Sequence, residues 1–190
     1  MEQKSLSHLK KEITFQAKNG IDFILSAGII WLVISYIWTL ESTSYNRSIL
    51  TFIVGPIVFP LAFGLSKLFR TNWKVKDNPL QPLGLWLNFT QLISFPFLIF
   101  ILIKYPDYFI MTYAIITGAH LFPYAWFYDE IGYAVCAVII SVGTLLITLN
   151  VEFEKIWIVP LFASVMLLLL AGWILIGIKT RNKTLHNSKI

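Results

Sequence analysis

The stretch IDFILSAGIIWLVISYIWTL, residues 21–40, decides the fold class. Its only charge is Asp22, in the second position. As a helix rising about 1.5 Å per residue, such a run reaches about 30 Å, the hydrocarbon thickness of a bilayer. Runs of the same kind recur at 49–68, 83–103, 108–127, 131–149 and 156–178. The 190-residue chain is 57% hydrophobic and only 13% charged, whereas a soluble domain is about a quarter charged. The predicted fold is therefore all-α, a polytopic transmembrane helical bundle of about six spans. One membrane domain covers 21–178, with a basic N-terminal segment over 1–20 and a basic tail over 179–190. The first run is not followed by a small-residue cleavage site, so it is expected to be retained as a helix.

The net charge of +5 sits in loops and tails and does not point to nucleic acid. It sets orientation instead. Of the 15 Lys and Arg residues, only Arg47, Lys104 and Lys155 fall on one side when the spans alternate. The excess on the other side places both termini in the cytoplasm. Leu6, Leu9, Ile13 and Ala17 recur at near-helical spacing with Lys10 and Lys11 between them. That pattern suits a short amphipathic helix on an anionic leaflet, and it equally suits an unstructured basic tail. The longest inner loop, RTNWKVKDNPLQP at 70–82, adds Lys74 and Lys76 as lipid-contact candidates beside Lys10 and Lys11.

Polar side chains inside the hydrocarbon are expensive and usually face the bundle interior. In the fourth span Tyr113, Thr117, His120 and Tyr124 follow an i, i+4, i+7, i+11 pattern, one stripe of one helix. In the third span Asn88 and Gln91 lie three apart, roughly 8–12 Å from the inner end by helical rise. His120 comes out at matching depth, about 10 Å from its own inner end. Asn88, Gln91 and His120 are thus expected to meet, with Asp22 at the cytoplasmic side of the first span. Near the interface a charge is cheap, so Asp22, Asp129 and Glu130 are read as solvated. Pro123 cannot donate to the carbonyl of Ala119, and Pro56, Pro60, Pro96 and Pro160 are expected to interrupt other spans.

IVGPIVFPLA at 53–62 and ITGAHLFPYA at 116–125 agree at Ile, Gly, Phe, Pro and Ala. That is either a duplicated hairpin or a coincidence between apolar helices. The sequence holds no GxSxG, HExxH, Walker A or GxGxxG motif, and His120 has no second ligand at metal spacing. No metal and no cofactor is expected, and no residue is assigned as catalytic. Cys136, the single cysteine, reads as an inert buried thiol.

The runs AIITGAHLFPYAWFY at 114–128 and KDNPLQPLGLWLN at 76–88 resemble an uncharacterised family of small bacterial multi-pass membrane proteins. The resemblance implies a bacterial cytoplasmic membrane and no assigned activity. Three functions stay open. One is a small transporter or ligand-binding membrane protein built around His120. Another is a structural or regulatory subunit whose polar groups lock helices together. The third is a membrane enzyme using His120 as base with Tyr124 and Asn88 beside it.

Overall fold

The computed structural model describes residues 5–187, with side chains through residue 180. Lys4 and Lys189 lie outside the described residues. Helix α1, Leu6–Gln16, starts where Ser5 Oγ accepts from the His8 amide. Helix α2 is Ile21–Thr39. The second expected span is two helices, α3 (Ser44–Val54) and α4 (Val58–Phe69), joined by a 3-10 turn at Gly55–Ile57. The third is also two, α5 (Gln81–Ile93) and α6 (Phe95–Lys104), broken at Ser94. Then follow α7 (Phe109–Phe127), α8 (Gly132–Asn150) and α9 (Ile158–Asn187).

Five stretches are long and apolar enough to cross a membrane: Lys18–Thr39, Ser44–Phe69, Gln81–Lys104, Gly132–Asn150 and Phe153–Thr180. With no strand among the described residues, the chain is a helical membrane bundle. Helix α7 is as long as Gly132–Asn150, 19 residues, but is not among the five; it carries the Tyr113–Tyr124 stripe. It also buries Phe109, Ile110, Ala114, Leu121 and Phe127, as a helix enclosed by neighbours does.

Two pairings make the centre. α7 lies along α8, and α2 lies along α9, with α8 against α9 joining the pairs. Small residues allow both approaches, since apolar tails offer helices no hydrophobic drive to associate and close packing must supply it. Gly28 of α2 sits under Leu168, and Gly118 of α7 under Ile140 and Ser141. Ser164 Oγ donates to the Gly28 carbonyl at 2.7 Å. Ser164→Ala is expected to cost only about 0.6 kcal/mol, and at most about 1.7, readable as a small fall in detergent melting temperature. The two broken helix pairs are peripheral. Only 17% of the Ser44–Phe69 window and 11% of the Gln81–Lys104 window is buried.

The proline expectations are met unevenly. Pro56 lies in the 3-10 turn between α3 and α4, and Pro96 lies in the first turn of α6, just after the break. Pro160 does not interrupt its span, because it falls in the first turn of α9, where the missing N–H has no helical partner to lose. Pro123 leaves α7 assigned as helix throughout. The helix α9 also outruns the expected end at 178 and continues to Asn187. Residues 53–62 thus pass through a 3-10 turn while 116–125 stay in one helix.

Helix α1 neither floats nor frays. It docks under one end of the bundle, burying Ile13 and Thr14. Thr14 Oγ1 donates to the Tyr128 carbonyl at 2.8 Å, and Asn78 Nδ2 donates to the Leu9 carbonyl at 2.9 Å. Asn72 N–H donates to the Gln16 carbonyl at 2.9 Å. Lys10 turns to Asp129 at 3.3 Å, over the Trp126 ring.

Candidate functional site

Two polar constellations stand out, one along α7 and one at the end capped by α1. Along α7, Tyr113 is the crossing point. The Trp31 ring of α2 lies 5.1 Å away, and the Phe95 ring at the α5–α6 break lies 6.4 Å away. Its hydroxyl approaches Gly55 at the α3–α4 break, where an added Cβ would come within 3.1 Å. Phe52 and Phe95 touch at 5.8 Å, so the two breaks meet on either side of Tyr113.

Below it, Gln91 Nε2 donates to Thr117 Oγ1 at 3.3 Å, and Thr90 Oγ1 lies 3.4 Å from His120 Nδ1. The His120 ring meets Tyr124 edge-on at 5.3 Å. Thus Gln91, Thr117, His120, Tyr113 and Tyr124 share one seam. Asn88 does not join them. It lies on the exposed face of α5 and donates to the Gly84 carbonyl of its own helix at 3.0 Å. Thr90 takes the place expected of Asn88.

At the capped end, Asp22 corrects the expectation of a solvated carboxylate. It is 1% exposed. Its Oδ2 accepts from Thr71 Oγ1 and Trp73 Nε1, both at 2.6 Å, and its Oδ1 accepts from the Phe23 amide at 3.0 Å. The loop after α4 is thereby folded back over the start of α2. That return begins at Arg70, whose φ of 54° is left-handed, with the Thr71 amide donating to the Ser66 carbonyl at 2.9 Å. Asp129 ends α7 in the same way, at φ 55°, with the Glu130 amide donating to the Ala125 carbonyl at 3.0 Å.

Asp129 is open to solvent, as expected, but Glu130 turns inward. Glu130 Oε2 accepts from Asn19 Nδ2 at 3.2 Å, and Oε1 accepts from Trp173 Nε1 at 2.9 Å. Tyr133 donates to the Asn19 carbonyl. Tyr128 stacks on Tyr124 at 5.8 Å, which links the two constellations. Burial, and then the Asp22 charge, push the Tyr128 phenol up, so it remains a neutral hydroxyl. Sequence reading missed Asn19, Thr71, Trp73, Tyr133 and Trp173. The Asn19–Gly20 pair was the available signal, since that dipeptide marks a turn.

Among the described residues no group of three His, Cys, Asp or Glu is placed to hold a metal ion. Between α8 and α9 an apolar groove of about 130 Å³ is lined by Val135, Cys136, Met166 and Leu170.

A family model described as a family of unknown function, DUF7010, matches residues 6–177. The chain belongs to the DUF7010 family. The match takes in the docked helix α1, both broken helix pairs and the α7 seam. No curated protein and no solved structure matches the chain.

Proposed function

We propose that this protein crosses the bacterial cytoplasmic membrane six times, with α7 as the sixth crossing and both ends on the cytoplasmic side. We further propose that it binds and moves a small ligand along the α7 seam. The meeting of the two helix breaks at Tyr113 carries this reading. Broken helices free backbone polar groups beside a cavity, and transporter sites are commonly built where such helices face one another. Tyr113, Thr117, His120 and Tyr124 would line the path, with Gln91 and Thr90 opposite. The orientation rests on the Lys and Arg asymmetry. Lys11, Lys74 and Lys76 are exposed and suit anionic headgroups, whereas Lys10 is engaged with Asp129.

Single cysteines at 91, 117 and 120, in a Cys136→Ser background, test the path with a membrane-impermeant maleimide. Labelling at 117 and 120 from one side of oriented membranes is the expected result. Protection at all three, with exposed loop controls labelled, would remove the transport reading. The Gln91–Thr117 and Thr90–His120 contacts would then be helix locks, and the protein a structural or regulatory subunit.

A further inference from the structure

The turn between α1 and α2 holds a polar atom with no partner where water is excluded. Asn19 is 0% exposed. Its Nδ2 is taken by Glu130 and its backbone carbonyl by Tyr133. Its Oδ1 meets no donor among the described residues. A bare buried oxygen is destabilising, and each such group in a folded protein calls for a water, an ion or a function.

The backbone keeps this side chain inward at a cost. Lys18, Asn19 and Gly20 have φ of 47°, 53° and 64°, three successive left-handed residues. Such residues normally occur singly. Charge points the same way. Glu130 and Asp22 are held by neutral donors: Asn19 and Trp173 for one, Thr71, Trp73 and the Phe23 amide for the other. Among the described residues neither carboxylate pairs with a lysine or arginine. The nearby cations are used elsewhere, Lys10 on Asp129 and Lys18 Nζ on the Phe69 carbonyl.

We propose that Asn19 Oδ1 and the Glu130 carboxylate form a binding site for a monovalent metal cation of sodium's size. Asn19 Oδ1 is the direct ligand. Glu130, which accepts from the Nδ2 of the same amide, is the neutralising charge, and water completes the shell. Amide and carboxylate oxygens are hard donors that suit such ions. A divalent or transition metal wants more carboxylate or imidazole than this end supplies. The site does not depend on whether the α7 seam carries a ligand.

The test is thermal unfolding of the purified full chain in detergent, followed by tryptophan fluorescence. Choline chloride is replaced stepwise by sodium chloride at constant ionic strength. A saturable rise of several degrees is expected for sodium. It should vanish in Asn19→Gly, which removes the ligand and tolerates the left-handed φ, and weaken at least about tenfold in apparent affinity in Glu130→Gln. If either variant fails to fold, the wild-type titration decides alone. Equal melting in the two salts overturns the proposal and leaves Oδ1 to a buried water. So does a rise that never saturates, or one that persists unchanged in folded Asn19→Gly.

Discussion

Asp22→Leu is expected to destabilise the folded bundle by roughly 3–5 kcal/mol, because it removes the charged acceptor that three hydrogen bonds share. Three donors aim at this carboxylate, from Thr71, Trp73 and the Phe23 amide. Leucine would leave all three without an acceptor. Hydrogen bonds to a charged group contribute roughly 1.5–3 kcal/mol each, so the range is reached without counting all three in full. Against a typical total of about 5–15 kcal/mol, that is enough to empty much of the folded population. Asp22→Asn keeps the shape and one acceptor, so its loss should be smaller. The triple change Asp22→Leu, Thr71→Val, Trp73→Phe removes donors and acceptor together. It should recover part of the stability, because burying the carboxylate is itself expensive. Detergent melting, with proteolysis of the loop at 70–80, reads all three. A wild-type melting temperature for Asp22→Leu would show that the loop does not rely on this anchor.

The error over Asp22 shows where the sequence stops speaking. A first-turn aspartate next to a lysine-rich segment reads as solvated from any local window. Its partners lie 49 and 51 residues away, beyond every local pattern. Five of the six expected spans were legible, because about 20 apolar residues have few places to go but a bilayer. The α1 helix was legible from its spacing, but its docking was not. An amphipathic face looks the same whether it meets lipid or protein, and only Thr14 and Asn78, with partners 114 and 69 residues away, decide it. Within the seam, Gln91, Thr117 and His120 were placed by periodicity alone. Asn88 was misplaced because matching depth does not fix which partner a polar side chain takes: it shares the helix α5 with Gln91, yet bonds back to the Gly84 carbonyl of its own helix instead of crossing to α7. The left-handed run at residues 18–20 had only the Asn19–Gly20 pair to announce it.

Gly118→Leu should separate α7 from α8 and be among the most damaging single changes in the membrane domain. A Cβ at Gly118 would lie 2.7 Å from Ser141 Oγ, 2.8 Å from Ile140 Cγ2 and 3.0 Å from Ile140 Cβ. The last of these atoms is branched, close to its own backbone and unable to swing aside. Overpacking a tight core costs roughly 1–3 kcal/mol or more. In a bilayer the lost close approach is not offset by any hydrophobic penalty for separating the helices. Gly28→Leu makes a useful contrast. There the nearest atom is Leu168 Cδ2 at 2.7 Å, the tip of a flexible side chain, so a milder loss is expected. A Cβ at Gly64 or Gly172 would meet nothing within 4 Å, so Gly64→Leu and Gly172→Leu should be nearly neutral. Four single variants, each scored by the monodisperse fraction after detergent extraction and by melting temperature, give the order. If Gly118→Leu behaved like Gly64→Leu, the α7–α8 contact would not be the rigid centre that positions His120 against Thr90. The α7 seam would then lose the fixed wall on which a binding path depends.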